Sequence, residues 1–171
     1  MDIIIIKGAP ASGKSTTANE LAKKLPSGVK IEVDTLRSMV ISVDWTNQNE
    51  HIDVLNVSAH LARNFFRIRF SPIIIVDTFS GDKIKAFYEK LLSLNNDWSV
   101  FIFGLYATED EIKKRVDKRT SDQFKDFEAC RKINADILKY KHPLELQIDT
   151  TCLRASDTAK IIFETYEMNK K

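Results

Sequence analysis

Short apolar runs alternate along the whole chain with longer segments of helical periodicity. The apolar runs are rich in β-branched residues and too short for helices, which is typical of strands buried on both faces. They predict five strands, at 3–6, 31–33, 73–76, 100–105 and 144–148. Spacings of three and four predict helices at 14–25, 35–43, 49–69, 82–94, 109–118, 122–139 and 156–168. This alternation predicts an α/β fold with a parallel sheet covered by helices on both faces.

The composition narrows the class of protein. With 171 residues the chain predicts a single domain, 1–171, with a substantial core. Its net charge of +2 gives no electrostatic case for strong nonspecific binding of nucleic acid. Cys130 and Cys152 lack metal or redox spacing and are expected to be free thiols. The first apolar run is too short for a signal peptide or a membrane span, so we expect a cytoplasmic location without membrane contact.

Residues 8–15 read GAPASGKS, between the first predicted strand and the first predicted helix. The spacing G-x-x-x-x-G-K-S is typical of a loop whose backbone N–H groups point at nucleotide phosphates. We expect Lys14 to reach the outer phosphates and Ser15 to bind Mg²⁺, with the positive end of the helix facing the same anion. The residues predicted to bind the nucleotide are Gly8, Ala9, Pro10, Ala11, Ser12, Gly13, Lys14, Ser15 and Thr16.

The third predicted strand ends in Asp77, within IIIVDTFSGD. Ligands of parallel sheets bind at the carboxyl ends of the strands, so this carboxylate is expected to assist Mg²⁺ and the bound substrates. The alternative is a carboxylate that only caps the following loop. Thr78 follows, where an ATPase that activates water commonly has Glu, and the motifs of a switch GTPase are not in the expected places. The pattern therefore favours a kinase.

The second predicted strand leads into VDTLRSMV, with Asp34 three residues before Arg37. Residues at this spacing share a helical face, so both side chains are expected to enter the cleft beside the phosphate loop. A carboxylate there can accept the proton of an attacking hydroxyl, and an arginine can bind a phosphate or carboxylate of the acceptor. The alternative is an Asp34 N-cap beside a surface Arg37.

The segment TEDEIKKRVDKRT carries Arg115 and Arg119 on one face of a predicted helix. A cation that closes over the γ-phosphate offsets the charge of the transferring group. We therefore predict a lid at approximately 108–126 that carries both arginines and excludes water from the reaction. A solvated face of intrahelical ion pairs is the alternative.

With these residues the chain resembles the small phosphate-loop kinases, in particular the kinase domain of polynucleotide 5′-hydroxyl kinases. Three motifs match in order: G-x-x-x-x-G-K-S-T, then D-x-x-R, then K-R-x-x-x-R in the lid. The resemblance implies a three-layer P-loop NTPase fold with a five-stranded parallel sheet of order 2-3-1-4-5. It implies that Asp34 is the general base and that Arg37 contacts a phosphate on the acceptor. The residues that it implies for the donor phosphates are Lys14, Ser15, Arg115 and Arg119.

The C-terminal stretch LELQIDTTCLRASDTAKII looks instead like that of chloramphenicol phosphotransferases, zeta toxins and gluconate or shikimate kinases, which phosphorylate small molecules. Adenylate-kinase-like enzymes share D-x-x-R, but a Phe-Pro-Arg that holds the acceptor monophosphate usually follows their third strand. This chain has TFSGDK there, which disfavours that group. Trp45 lies in the segment that builds the acceptor pocket in such kinases, and packing is favoured over stacking on a ring as its role.

The resemblance thus implies a kinase that uses ATP and Mg²⁺. Its acceptor is a hydroxyl-bearing small molecule, a nucleotide or a nucleic-acid 5′ end, and the sequence does not choose between them. A nucleoside monophosphate kinase and a nucleotide-binding regulatory NTPase stay open as alternatives.

Overall fold

The computed structural model describes residues 1–121 and 123–170. Its strands are β1 (Asp2–Gly8), β2 (Val29–Glu32), β3 (Ile73–Asp77), β4 (Ser99–Tyr106) and β5 (Glu145–Asp149). Its helices are α1 (Lys14–Ala22), α2 (Val33–Arg37), α3 (Gln48–Arg67), α4 (Lys83–Leu94), α5 (Glu109–Asp117), α6 (Phe127–Lys139) and α7 (Ala155–Asn169). Among these described helices, none combines the length and the apolar character that a membrane crossing requires.

The five strands form one parallel sheet of order β2-β3-β1-β4-β5, which confirms the predicted fold class and strand order. The central strand β1 is buried on both faces because its isoleucines alternate between two helix layers. Ile3 and Ile5 pack with α3 and α4, whereas Ile4 and Ile6 pack with α1 and α7. The continuous apolar run that predicted this strand therefore supplies both halves of the core.

A buried ion pair crosses the α3 and α4 face of the sheet. The ammonium of Lys7 lies 2.9 Å from Oε2 of Glu145 and donates a 2.8 Å hydrogen bond to the Tyr140 carbonyl. Gly104 lies on the strand between them, and a Cβ at this position would overlap the Glu145 carboxyl. The pair thus ties the start of β5 and the end of α6 to β1, one residue before the phosphate loop.

The prediction of a helix at 35–43 was wrong beyond Arg37. The structure has the short helix α2 (Val33–Arg37), and β2 correspondingly ends at Glu32 instead of residue 33. Val40, Ile41 and Val43 follow the helix, and β-branched side chains lose rotamer freedom in a helix. Ile41 is fully exposed, so no packing offsets this loss.

The predicted helix starts and ends also need correction at α1 and α6. The first helix ends at Ala22 instead of residue 25, and i→i+3 bonds from Lys24 and Leu25 tighten the chain there. The sixth begins at Phe127 instead of residue 122 because Asp126 accepts a hydrogen bond from the Ala129 N–H and caps it. Asp122, the predicted first residue of this helix, lies outside the described residues.

Candidate active site

The loop between β1 and α1 is a compact turn. Gly13 is its last residue and the N-cap of α1, with φ 91°, in the left-handed region that favours glycine. Ala11 also has a positive φ of 69°, and the Ser12 N–H donates to the Ala9 carbonyl at 3.1 Å. The predicted nucleotide-binding residues therefore form one turn at the amino end of α1, with Lys14 as the first helical residue.

Cavities lie on both sides of this loop. One, of about 310 Å³, opens toward the turn between β5 and α7, and we call it the α7 cavity. Its walls include Ser12, Gly13, Thr16, Arg115, Thr150 and Leu153. The other, of about 700 Å³, opens toward α3, and we call it the α3 cavity. Its walls include Pro10, Asp34, Arg37, Trp45, Gln48, His51, Lys83 and Phe124. The phosphate loop thus separates two spaces that two substrates can occupy.

Three predicted site residues converge where the loop meets the ends of β2 and β3. Burial lowers the pKa of Lys14, and the negative charges of Asp34 and Asp77 oppose this effect. Desolvation by the walls of the cleft, followed by the charge of Asp77, raises the pKa of Asp34 above its ordinary value. The three side chains are therefore close enough to influence each other's ionisation.

Asp34 lies in the first turn of α2 and lines the α3 cavity. The N-cap position of this helix is Glu32, so Asp34 does not have the capping position considered as its alternative role. Its residue surface stays exposed, and its carboxylate opens to the same space as Arg37. A molecule in the α3 cavity is thus next to a carboxylate whose pKa favours proton uptake.

Arg37 is only 5% exposed and is not a surface cation. It donates a 3.0 Å hydrogen bond from Nη2 to the Asp44 carbonyl, and the same nitrogen lies 3.6 Å from Glu50. Trp45 is 50% exposed and covers the guanidinium at 4.7 Å instead of packing in the core. The Nε atom of Arg37 is buried and has no hydrogen-bond partner among the described residues. Oε1 of Glu50 is likewise buried without a hydrogen-bond partner among the described residues, so Arg37 and Glu50 face each other without a close bond.

Asp77 is held by His51, a residue that the sequence analysis did not predict for the site. His51 Nε2 lies 3.1 Å from each carboxylate oxygen of Asp77, and the Phe79 N–H donates to Oδ2 at 2.9 Å. Burial alone would raise the pKa of Asp77, but the hydrogen bonds from His51 and Phe79 hold it below its ordinary value. The predicted metal-assisting carboxylate is thus ionised and fixed in orientation.

The other ring nitrogen of His51 continues this network. Nζ of Lys83 lies 2.9 Å from Nδ1 of His51 and 2.6 Å from Oε1 of Gln48. Because an ammonium can only donate, Nδ1 accepts, and the hydrogen of the neutral ring is on Nε2, where it is donated to Asp77. The polar chain Gln48–Lys83–His51–Asp77 therefore runs from the wall of the α3 cavity to the end of β3.

A signal for His51 was present in the sequence. It shares the apolar face of α3 with Leu55, Ala59 and Ala62, all of which are buried. A histidine on such a face needs a polar partner inside the protein. The sequence does not give the identity of that partner, because Asp77 is 26 residues away and the contact depends on how α3 crosses β3.

The two arginines of the predicted lid, Arg115 and Arg119, make different contacts. Nη1 of Arg115 donates to the Ser12 carbonyl at 3.2 Å and to Thr150 Oγ1 at 3.1 Å, and Nη2 donates to the Thr150 carbonyl at 2.6 Å. Its Nε pairs with Glu111 at 2.8 Å. Arg115 thus joins α5 and the turn after β5 to the phosphate loop.

Arg119 follows α5, and its contacts differ from those of Arg115. It donates a 2.6 Å hydrogen bond to the Phe124 carbonyl across the lid loop, and its charge lowers the pKa of Lys14 after the larger effect of burial. Phe124 lines the α3 cavity. Arg119 is therefore bonded to a residue in the wall of the α3 cavity.

The fold of this chain is that of the P-loop NTPases. The parallel strand order β2-β3-β1-β4-β5 and the glycine-bounded loop between β1 and α1 are the features that define this fold. The chain belongs to the AAA domain family, whose model matches residues 3–144. A comparison with curated proteins gave no match to the sequence.

Solved structures of other proteins have a similar fold. APS kinase CysC of Mycobacterium tuberculosis, in complex with AMPPNP and APS, has a TM-score of 0.68 at 16% identity over 97% of each chain. Shikimate kinase of Acinetobacter baumannii, in complex with shikimate, has a TM-score of 0.62 at 17% identity over 99% of this chain and 94% of that one. The tunicamycin resistance protein of Deinococcus radiodurans has a TM-score of 0.68 at 18% identity over 98% and 96%. At these identities the comparisons establish the fold and not the substrate.

Proposed function

We propose that the protein is a kinase that uses ATP and Mg²⁺ and transfers the γ-phosphate of ATP to a hydroxyl group of an acceptor. The observation that carries this proposal is the position of Asp34. Its carboxylate opens to the α3 cavity and is close enough to Lys14 for each charge to shift the pKa of the other. A base on the acceptor side and a cation on the phosphate side are what phosphoryl transfer to an alcohol requires.

The two cavities divide the substrates in this proposal. ATP occupies the phosphate loop, and its nucleoside part extends into the α7 cavity beside Thr16, Arg115 and Thr150. The acceptor occupies the α3 cavity with its hydroxyl toward Asp34. The backbone N–H groups of the loop and the positive end of α1 bind the phosphates.

The reaction then needs a proton transfer and compensation of charge. Asp34 accepts the proton of the acceptor hydroxyl as its oxygen bonds to the γ-phosphorus and the bond from phosphorus to the bridging oxygen of ADP breaks. The raised pKa of Asp34 makes the carboxylate a better proton acceptor than an ordinary aspartate. Lys14 and Arg119 offset the negative charge of the transferring group, since both are on the loop side of the cleft.

The residues present fit a magnesium ion. Ser15 lies in the first turn of α1, directly after Lys14, and Asp77 is a buried carboxylate that stays ionised near the loop. Mg²⁺ prefers such oxygen donors and usually keeps several waters. We propose that Ser15 binds the ion and that Asp77, whose oxygens are engaged by His51, orients its waters. When bound, the ion supplies Lewis-acid stabilisation of the phosphate charge.

The whole length of the chain is proposed to form this kinase domain, with a lid at approximately 108–126. The fold leaves the acceptor open, because the similar enzymes include complexes with APS and with shikimate. A regulatory NTPase is the rival from another class, and it predicts hydrolysis without a phosphorylated acceptor. The free thiols of Cys130 and Cys152 support a reducing compartment such as the cytoplasm.

The test is transfer from γ-labelled ATP to pools of nucleosides, oligonucleotides, sugars and aminocyclitols, with the product identified by mass spectrometry. Asp34→Asn is expected to lower kcat by about 10²–10⁴-fold. ATP affinity, measured by calorimetry, should change little because Asp34 is on the acceptor side. Asp53→Asn on the exposed face of α3 removes the same charge outside the cleft and serves as the matched control. Turnover of Asp34→Asn at the wild-type rate would eliminate the base assignment.

A further inference from the structure

Lys83 brings a positive charge to the wall of the α3 cavity with no anionic hydrogen-bond partner in the described structure. Its two acceptors, Oε1 of Gln48 and Nδ1 of His51, are both neutral. They account for two of the three N–H donors of the ammonium. These two contacts fix the position of Nζ. The third N–H donor and the positive charge of Lys83 are therefore held at the cavity wall and do not move freely as they would on a surface side chain.

Arg37 brings a second cation to the same cavity. Desolvation lowers the pKa of Lys83, and the charge of Arg37 lowers it further, against the opposing effect of Asp77. The two cations therefore repel each other across the cavity. Arg37 also has a buried Nε without a partner among the described residues, although the residue is only 5% exposed. The carboxylate paired with Arg37 is that of Glu50, whose Oε1 lies 3.6 Å from Nη2, beyond hydrogen-bond distance, so the guanidinium has no close anionic partner among the described residues.

We propose that the α3 cavity selects an acceptor that carries an anionic group, a phosphate, sulfate or carboxylate, in addition to the reacting hydroxyl, and that Lys83 is the residue that selects it. This inference rests on the proposed kinase function for the hydroxyl, while the anion site itself can be tested without catalysis. An anion between Lys83 and Arg37 would accept a charge-assisted hydrogen bond from each and would remove their mutual repulsion.

Lys83 lies in the segment whose lack of a Phe-Pro-Arg disfavoured the adenylate-kinase-like group. The segment TFSGDK has no arginine directly after the strand, but it ends in Lys83, the first residue of α4. The loop from Thr78 to Asp82 returns the chain so that both Ser80 and Lys83 line the α3 cavity. The cation therefore lies six residues after Asp77 in the sequence, and a contact with His51 of α3 fixes its position. A sequence motif that looks for an arginine directly after the strand does not detect it.

The first experiment measures binding of inorganic phosphate, with the phosphate loop already saturated by AMPPNP and Mg²⁺. Trp45 covers Arg37 and reports on the cavity by its fluorescence, and Trp98→Phe removes the signal of the other tryptophan, which is in the core. Lys83→Gln, whose amide can still donate to His51, should weaken phosphate binding by about tenfold or more. Lys85→Gln removes the same charge from an exposed position of α4 and should change it by less than about twofold.

The second experiment compares acceptors in matched pairs: nucleoside monophosphates and nucleosides, 3′-phosphorylated and unphosphorylated oligonucleotides, and sugar acids or phosphates and neutral sugars. The pairs identify the source of the anion. For the anionic member of the active pair, Lys83→Gln should raise KM by about tenfold with kcat nearly unchanged, and KM for the neutral member should not respond. Circular dichroism and thermal melting verify that the variant is folded.

Equal phosphate affinity of wild type and Lys83→Gln, or preferred turnover of neutral acceptors with no response to this substitution, would overturn the assignment. If phosphate binds in a Lys83-dependent manner but no acceptor is phosphorylated, the anion site is supported and the kinase proposal fails. If an acceptor is phosphorylated but phosphate binding does not depend on Lys83, the kinase proposal is supported and the anion site fails. The two proposals thus fail by different observations.

Discussion

His51 Nε2 lies 3.1 Å from both carboxylate oxygens of Asp77, and the two side chains are 6% and 1% exposed. This contact joins α3, which builds one wall of the α3 cavity, to the end of β3 beside the phosphate loop. A carboxylate held at both oxygens cannot rotate freely when a phosphate or metal approaches. His51 therefore couples the wall of the α3 cavity to the carboxylate beside the phosphate loop.

Substitutions of His51 should destabilise the protein more when they remove the N–H donor to Asp77 than when they keep one. His51→Asn shortens the side chain and leaves a buried carboxylate without this donor, and we expect a loss of about 1.5–3 kcal/mol in the free energy of unfolding. The glutamine side chain of His51→Gln is one bond longer than asparagine and can keep an N–H near Asp77. This variant should therefore lose clearly less unfolding free energy. Urea unfolding at neutral pH measures the difference, with His60→Asn on the same helix as control. Equal losses for Asn and Gln would show that the donor is not what matters.

The pH dependence of the same variants follows from the lowered pKa of Asp77. A carboxyl group whose pKa is lower in the folded than in the unfolded state stabilises the fold above its unfolded pKa and loses this contribution as the pH falls through its folded pKa. The ordinary value is 3.8, so the difference between wild type and His51→Asn should be constant near neutral pH and shrink below about pH 4. A difference that stays constant into strong acid would remove Asp77 as its origin.

The sequence predicted those parts of the site that are contiguous or follow a strand. The phosphate loop, Asp34 and Asp77 could be located because the carboxyl ends of parallel strands meet at one edge of the sheet. His51 and Lys83 escaped prediction because their partners are set by the crossing of α3 over β3 and by the return of a loop. The start of α6 was misplaced because Asp126, and not the residues before it, caps the helix.

Arg115 and Arg119 looked equivalent in the sequence, and the structure predicts that their substitutions have different effects. Arg119→Ala should lower kcat by about 10²-fold or more with little change in melting temperature, because a cation near the γ-phosphate acts mainly in the transition state. Arg115→Ala removes donors to Ser12 and Thr150, so it should lower the melting temperature of the nucleotide-free protein and weaken ATP binding. Steady-state kinetics and thermal melting of both variants separate these roles.

Lysine replacements provide the control for this pair. Lysine keeps the charge but cannot donate to Ser12, Thr150 and Glu111 at once, so Arg115→Lys should resemble Arg115→Ala in stability. Arg119→Lys keeps a cation near Lys14 and should recover part of kcat. A loss of kcat without loss of stability in Arg115→Lys would instead assign Arg115 to the transferring phosphate.

The buried pair of Lys7 and Glu145 should depend strongly on both members being present. Lys7→Met leaves the Glu145 carboxylate uncompensated in the interior, where water cannot solvate it, and we expect a loss of about 3–5 kcal/mol in unfolding free energy. The double variant Lys7→Met, Glu145→Leu removes both charges and should recover most of this loss, since an apolar pair avoids the desolvation cost. Urea unfolding of the two single variants and the double variant gives the coupling energy.

The exposed pair of Lys23 and Glu20 is the matched comparison, because it has a similar ion-pair distance of 2.6 Å but lies in solvent. Lys23→Met should cost less than about 0.5 kcal/mol, since water already solvates both charges. If Lys7→Met were as mild, water or a proton would have to compensate Glu145, and the pair would not hold β5 to the central strand. The same result would weaken the view that the phosphate loop starts from a rigid strand end, because Lys7 directly precedes Gly8.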